Sequence, residues 1–331
     1  MRRQVWFLAA LLMIIGLGAS AQKKKTAAAG GKQFQVYAVG FYNQENLFDT
    51  CHDAGKNDYE YLPAKGWNGM KYTSKLKNMS RALADMGTDV LPNVGCAFIG
   101  LAEVENANVL KDLTAQPPLK ARNMQFCHIE GPDKRGIDCA LLYNPALFRV
   151  KNVKLVPYVQ ELAKDSAFKT RGFLTVRGEM AGEDVAVIVC HWPSRFSVSF
   201  YRESGARQTK VVKDSLLRVN PDMKVFVMGD MNDDPTDKSM HEVLRAMPEI
   251  SQVGEGEHFG FVHVTDFCLR KVKVFNDSFT PAQINFLKVV VHEYVKEEEG
   301  GAVAEIQHFG KLVILKIQFR NVCAVEKING T

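Results

Sequence analysis

Residues 227–237 read VMGDMNDDPTD, where a short apolar run gives way to four carboxylates and one carboxamide. The full apolar run, KVFVMG (224–229), is typical of a strand that is buried on both faces of a sheet. Polar residues directly after such a strand lie at a sheet edge, where binding and catalytic side chains are commonly found. The segment DMNDDP is also an ordinary turn signal, so its meaning depends on the rest of the chain.

Three more strand-like runs end in a polar residue that is capable of chemistry. They are FQVYAVGFY (34–42) before Asn43, AFIGLA (97–102) before Glu103 and VAVIVC (185–190) before His191. Taken singly, each of these residues is more often a turn residue or a cap than a ligand. Strand ends that face one edge converge, so the four together predict a site built by Asn43, Glu103, His191 and Asp230.

Further periodic segments surround these runs. Additional strands are predicted at Ile137–Tyr143 and Gly172–Glu179. A helix is predicted over Thr73–Met86, with Thr73 as its N-cap, and a second helix from about Gly205 to Arg218. Short buried strands that alternate with amphipathic helices favour a mixed α/β domain of packed sheets covered by helices.

Five ordered segments together resemble the endonuclease/exonuclease/phosphatase (DNase I-like) superfamily, in particular its exported bacterial members. The segments are FYNQENLFDT (41–50), LAEVEN (101–106), RGIDCALLY (135–143), HWPSR (191–195) and VMGDMNDDPTD (227–237). The resemblance covers about residues 34–257. It implies an α+β fold, a four-layer α/β/β/α sandwich with an atypical C-terminal part. It also implies hydrolysis of phosphate esters with Mg²⁺ or Mn²⁺.

The resemblance also implies a role for each residue of the predicted site. Glu103 would be the main metal ligand, and Asn43 would contact the metal or a phosphate oxygen. Asp230 would orient or deprotonate the attacking water, Asn232 would hold the phosphate, and His191 would donate to a non-bridging oxygen. These residue types suit the chemistry, because Mg²⁺ prefers oxygen ligands and needs only one or two carboxylates.

Three charged residues near these motifs have two interpretations each. Arg135 and Arg195 are candidates for bidentate contacts to the substrate phosphate, and both are equally compatible with solvated surface charges. Asp138 is placed either on the cleft side of its strand or in a strand-capping role.

The N-terminus predicts export. Arg2 and Arg3 precede an apolar run over 5–17 and the small residues of 19–21, which is the pattern of a secretory signal peptide over 1–21. A flexible leader is expected over 22–33, and the mature protein is expected in the periplasm or outside the cell without a transmembrane anchor. The alternative is an uncleaved N-terminal anchor. Removal of both arginines lowers the net charge from +5 to +3, which is too mild to imply nucleic-acid binding.

The seven cysteines predict neither a zinc site nor a thioredoxin-like site. Their count is odd and no pair has the CxxC spacing. Cys139 and Cys190 lie inside apolar runs, where buried free thiols are expected.

The C-terminal part departs from the family pattern. The superfamily closes with an Asp-His pair, and the dipeptide Asp-His does not occur in this chain. Residues 258–331 show strand-like runs such as FLKVVVHEYV and KLVILKIQF but no family motif. Three explanations stay open: a divergent closing segment, a different C-terminal element, or a shifted reading frame near Glu257.

Three functions follow from these observations. The leading hypothesis is a metal-dependent phosphodiesterase or phosphatase, and the alternative is an inactive relative that binds phosphate-bearing ligands or a protein. A nuclease is the third, although no basic, aromatic-studded stripe is evident. The only partner implied is a phosphate-ester substrate of unknown class, with no stable protein partner. Substrate selection is expected from residues 50–72 and 157–171.

Overall fold

The computed structural model describes residues 34–88, 91–162 and 168–246, together with the backbone of residues 312–320. The chain divides into two compact units, residues 1–33 and 34–331, and the described residues belong to the second unit. The predicted signal peptide, the leader, Cys268, Cys323 and the region of the missing closing pair lie outside the described residues. No helix within the described ranges is both long enough and apolar enough to pass through a bilayer.

The described strands form two sheets. The strands are β1 (Phe34–Leu47), β2 (Cys96–Val104), β3 (Gln125–His128), β4 (Asp138–Tyr143), β5 (Arg149–Val156), β6 (Phe173–Met180), β7 (Glu183–His191), β8 (Lys224–Asp230) and β9 (Leu312–Arg320). The first sheet has the order β3-β4-β2-β1-β9, and the second has the order β5-β6-β7-β8. In each sheet one pair is parallel, β1 with β2 in the interior of the first sheet and β7 with β8 at one side of the second, and the other pairs are antiparallel.

Helices cover the outer faces of both sheets. They are α1 (Gly69–Asp85), α2 (Ala107–Thr114), α3 (Pro117–Ala121) and α4 (Ser199–Val219), with short 3-10 turns at Tyr59–Tyr61 and Pro63–Lys65 and a π-helical turn at Ser239–Leu244. One apolar core lies between the sheets, a second between the first sheet and α1–α3, and a third between the second sheet and α4. The described residues therefore form the predicted α/β/β/α sandwich, of the DNase I-like type.

The six predicted strands are confirmed, and both predicted helices begin earlier than expected. Helix α1 begins at Gly69 because the Asn68 side chain accepts the Lys71 N–H at 3.1 Å, so Asn68, and not Thr73, is the N-cap. Helix α4 begins at Ser199, before the predicted start near Gly205. Its first turns bury the polar Arg202 and Ser204, which interrupt the apolar periodicity on which the prediction depended. Free buried thiols are confirmed at Cys139 and Cys190.

Strand β9 lies inside the segment whose fold the sequence left open. It pairs antiparallel with β1 from Phe34 opposite Arg320 to Tyr42 opposite Leu312. Residues 312–319 of the run KLVILKIQF therefore belong to a strand of the first sheet, as their composition predicted, whereas the run FLKVVVHEYV lies outside the described residues.

Candidate active site

The polar ends of β1, β2, β7 and β8 meet at one edge of the sandwich. Asn43 lies opposite Ala102 in the parallel β1–β2 pair, and Glu103 is the residue after Ala102, while His191 lies opposite Asp230 in the β7–β8 pair. Here the two sheets are in contact through their site residues, because Asn43 Nδ2 donates to Asp230 Oδ2 at 3.0 Å and His191 Nε2 lies 3.8 Å from Glu103 Oε1. The structure therefore brings these four predicted residues together.

Asn232 is held in the same place by the loop after β8. Its backbone N–H donates to Asp230 Oδ1 at 3.0 Å, and its Nδ2 donates to the Trp192 carbonyl at 2.9 Å. Both carboxylate oxygens of Asp230 thus accept a hydrogen bond from a site residue, Asn43 or Asn232. An anionic carboxylate with this set of donors is fixed in orientation.

Several residues at this edge have backbone conformations that non-glycine residues rarely adopt. Four non-glycine residues, two at the end of β1, one in β2 and one in the loop after β8, have positive φ: Glu45 at 48°, Asn46 at 63°, Glu103 at 59° and Asn232 at 53°. Backbone conformations of this kind cost about 1–3 kcal/mol each and cluster at functional sites. Their concentration beside Glu103 and Asp230 points to a functional constraint at this edge.

Two residues near Glu103, Lys75 and Tyr61, were not predicted from the sequence. The Lys75 ammonium donates to the Glu45 carbonyl at 2.6 Å, and burial lowers its pKa while Glu45 and Glu103 oppose that shift. Tyr61 lies close enough to Glu103 and Arg135 for both charges to act on its hydroxyl, whose pKa is raised mainly by burial. Tyr61 belongs to the 50–72 loop that was expected to select substrate, but no local pattern distinguishes it from its neighbours.

Arg135 lies at the site and Arg195 beside it, in different situations. The Arg135 guanidinium donates to Asn46 Oδ1 and acts electrostatically on His191. Arg195 is about half exposed, and its Nη2 contacts Asp234 at 2.7 Å and Asp237 at 2.8 Å. Its guanidinium therefore braces the loop after β8, and the phosphate contact predicted for Arg195 stays a prediction.

His191 is almost fully buried at the centre of the site, with 4% of its surface exposed. Burial lowers the pKa of its imidazole well below the ordinary value, the Arg171 cation lowers it further, and Asp230 opposes both. Its Nδ1 has no hydrogen-bond partner among the described residues, whereas Nε2 faces the Glu103 carboxylate. These contacts favour a neutral ring whose hydrogen is on Nε2.

Asp138 has the capping role that was one of its two interpretations. Its carboxylate is buried, accepts the Gly131 N–H at 3.0 Å, and lies 3.1 Å from His128 Nε2. His128, Glu130 and Asp138 have ligand atoms within 4.8 Å of one another, but Glu130 is also paired with the Lys56 ammonium at 3.0 Å. The cluster stabilises the loop between β3 and β4.

Several solved structures resemble this fold at low sequence identity. A truncated TDP2 from Caenorhabditis elegans shares 14% identity with a TM-score of 0.48, over 85% of this chain and 96% of that one. The human Nocturnin catalytic domain with bound sulfate shares 18% identity with a TM-score of 0.41, over 63% and 72%. ANGEL2, described as a 2',3'-cyclic phosphatase, shares 12% identity with a TM-score of 0.44, over 63% and 58%.

The chain spans 58% of the length of another C. elegans TDP2 chain that it matches. A comparison with curated protein sequences gives no match. The sequence profile described as the Endonuclease/Exonuclease/phosphatase family matches residues 38–263, which reaches past the predicted boundary at 257 and includes every residue of the candidate site. More than half of the chain is matched, and the protein belongs to the endonuclease/exonuclease/phosphatase family.

Proposed function

We propose that this protein hydrolyses phosphate esters with Mg²⁺ or Mn²⁺, at the site formed by Asn43, Glu103, His191, Asp230 and Asn232. The family consists of metal-dependent phosphoester hydrolases, nucleases and phosphatases among them. The observation that carries the proposal is the convergence of the four strand ends, closed by the hydrogen bond from Asn43 to Asp230. Carboxylate and amide oxygens in one cleft suit a divalent cation, and amide and imidazole donors beside them suit the charge that develops on a phosphate.

The donor set of the site fits a hard divalent cation. Glu103 offers a carboxylate that is 14% exposed and whose nearest ion-pair partner is His191 at 3.8 Å. Among the described residues, Asn43 Oδ1 accepts a hydrogen bond from the Glu45 N–H alone, so its second lone pair is open to the ion there. Glu103 and Asn43 would hold the ion, with water completing its coordination, and the bound ion would supply charge stabilisation at the phosphoryl oxygen.

The other residues have separate tasks on the phosphate and the water. One N–H bond of the Asn232 amide is used by the Trp192 carbonyl, which leaves the second for a phosphate oxygen. A neutral His191 approaches an anionic ester without repulsion and donates from Nε2 to a non-bridging oxygen as negative charge develops there. Asp230, fixed by Asn43 and Asn232, orients the attacking water and accepts its proton.

The first experiment measures release of nitrophenol from a mono- and a diester of p-nitrophenyl phosphate, with Mg²⁺ and with EDTA. Asp230→Ala and Glu103→Gln are expected to reduce kcat/KM by at least about 100-fold, the scale of loss of a catalytic base or of preorganised charge stabilisation. Asp222→Asn is the matched control, because Asp222 is an exposed carboxylate at the opposite end of β8. Equal activity in the wild type and in both site variants would rule out this site.

The inactive relative is the competing outcome of the same experiment. This hypothesis is based on the absence of an Asp-His pair from the sequence. The C-terminal histidines lie outside the described residues: His258, His263, His292 and His308. Calorimetry with Mg²⁺ and inorganic phosphate, combined with the ester assay, separates the two, since the inactive relative binds both ligands and releases no nitrophenol. Sequencing of the DNA through codon 257 tests the shifted reading frame directly.

Export is part of the proposal, and it rests on the basic, apolar and small-residue order of residues 1–21. Cleavage after Ala21 leaves 310 of the 331 residues, which is 331 minus 21. Mass spectrometry of the protein purified from its native cells measures this directly. Retention of residues 1–21 in that protein would favour the uncleaved anchor.

A further inference from the structure

A buried arginine outside the predicted set connects the two sheets directly beneath the site. Arg171 precedes β6 and is 9% exposed. Its Nη1 donates to Asp133 Oδ2 at 3.1 Å, and its Nη2 donates to the Trp192 carbonyl at 2.9 Å. Asp133 belongs to the loop between β3 and β4 of the first sheet, whereas Trp192 follows β7 of the second. One planar guanidinium thus spans the base of the cleft.

The Trp192 carbonyl connects Arg171 to Asn232, the residue proposed to hold the substrate phosphate. This carbonyl accepts two hydrogen bonds, from Arg171 Nη2 and from Asn232 Nδ2, both at 2.9 Å. A carbonyl oxygen has two lone pairs, so these two donors fill it and fix the directions of both. The orientation of the Asn232 amide is therefore linked to the position of the guanidinium.

The Asp133 carboxylate makes the equivalent link on the other sheet. Its Oδ2 accepts from Arg171, and its Oδ1 accepts the backbone N–H of Arg135 at 2.8 Å. Lys56 adds a further contact to the Asp133 carbonyl at 3.2 Å. The backbone that presents Arg135 to the cleft is thus held by the same guanidinium that holds Asn232.

We propose that Arg171 is a positioning residue that sets Asn232 and Arg135 at a common distance from one phosphate group. The inference rests on the proposed function of the site, and it assigns to Arg171 no contact with substrate. A lysine cannot replace it, since an ammonium lacks the planar fork that reaches Asp133 and the Trp192 carbonyl together. Displacement of a phosphate-contacting group by about 1 Å is able to cost about 100-fold in rate.

A double-mutant cycle measures this link in the full-length protein. Arg171→Lys is expected to lower kcat by about 10- to 100-fold, within the range of a misplaced catalytic contact. If Arg171 acts through Asn232, then Asn232→Ala has a smaller effect in the Arg171→Lys background than in the wild type. Additive losses from the two substitutions would overturn the proposal. Asp133→Asn, which weakens the bridge from the other sheet, is expected to show the same non-additivity.

A readout independent of turnover separates this proposal from the proposed function. The side-chain amide resonance of Asn232, assigned by its loss in Asn232→Ala, is expected to shift in Arg171→Lys and in Asp133→Asn. It is expected to stay unchanged in Arg149→Lys, which alters an exposed arginine paired with Glu179 on the same sheet. An unchanged Asn232 resonance in folded Arg171→Lys would overturn the proposal, even if the wild type hydrolyses esters. If the wild type does not hydrolyse them, a shifted resonance still supports the link and only the proposed function fails.

Discussion

Gly229 stands directly before Asp230, and its backbone conformation is one that only glycine adopts without strain. Its φ is 155°, and a Cβ built on it would overlap the Cys190 carbonyl oxygen of the neighbouring strand. The overlap is with backbone, so no side-chain movement relieves it. The close approach of β8 to β7 at this residue brings Asp230 level with His191.

We therefore expect Gly229→Ala to destabilise the protein and to displace Asp230. Distortion of a positive-φ backbone together with a backbone collision is expected to lower the free energy of unfolding by about 3 kcal/mol or more. Gly182→Ala is the matched control, because Gly182 also has positive φ, at 79°, with nothing within 4 Å of the added Cβ. Urea unfolding of both variants measures the difference, and equal losses would show that the collision with Cys190 is unimportant.

The thiols give a second prediction for single residues. Cys51 is exposed, whereas Cys127 and Cys190 are buried, and burial raises the pKa of each buried thiol to about 12. The thiolate is the reactive form, so at pH 8 burial removes both access and reactivity. Iodoacetamide is expected to modify Cys51 in the native protein and the two buried thiols only after unfolding, as measured by peptide mass spectrometry. Modification of all three at one rate would contradict the buried assignments.

At the scale of secondary-structure elements, α4 is tied to the loop after β8 by one buried ion pair. Arg202 Nε donates to Asp233 Oδ1 at 2.5 Å, and its Nη1 donates to the carbonyls of Ser194 and Ser197, both at 3.0 Å. Ser239 Oγ donates to the other oxygen of Asp233 at 2.6 Å. The loop that carries Asn232 is therefore clamped by the helix that covers its sheet.

Removal of the cation from this clamp is expected to be costly. Arg202→Met removes the nearer of two cations from the buried Asp233 carboxylate and leaves only the Arg195 guanidinium, 3.7 Å away, among the described residues. Removal of one partner of a buried ion pair typically costs about 3–5 kcal/mol. Arg207→Met is the matched control on the same helix, since Arg207 pairs with Glu161 at a site where its side chain is 39% exposed, and exposed pairs contribute at most about 1 kcal/mol. Thermal and urea unfolding compare the two variants. Similar losses in both would show that the clamp has no special role.

The buried ion pair of Arg202 with Asp233 illustrates why sequence patterns predicted most secondary-structure elements but missed the start of α4. Apolar periodicity located the strands and the later part of α4, because those residues pack against the core. The start of α4 was missed because Arg202 and Ser204 are polar residues that face inward, where Arg202 pairs with Asp233 of the loop after β8 and Ser204 accepts from Gln208 one turn later in α4. Tyr61, Lys75 and Arg171 were missed for a similar reason, since their contacts join residues far apart in sequence and leave no local pattern.

At the scale of the whole molecule, the motifs at strand ends predicted the sandwich, but the spacing between its sheets depends on close contacts that no motif shows. Gly100 lies in the middle of β2, and a Cβ built on it would stand 2.7 Å from Met228 Sδ and 3.2 Å from Phe41 Cδ2. The two sheets therefore approach each other closely where a glycine of one faces a methionine of the other. The hydrogen bond from Asn43 to Asp230 crosses the same gap at the edge of the sandwich.

Gly100→Ala is therefore expected to disturb both stability and the site. Overpacking of a filled core by one methyl group costs about 1–3 kcal/mol, and a shift of the sheets would lengthen the contact of Asn43 with Asp230 and lower kcat.

Met228→Ala in the Gly100→Ala background removes the sulfur that the new Cβ meets, so activity should recover although the smaller side chain leaves its own cavity. Gly69→Ala, at an open position in α1, is the control and is expected to be neutral or slightly stabilising. Calorimetric unfolding and the nitrophenyl ester assay measure both effects. If Gly100→Ala lowers stability without changing kcat, the spacing of the sheets does not control the geometry of the site.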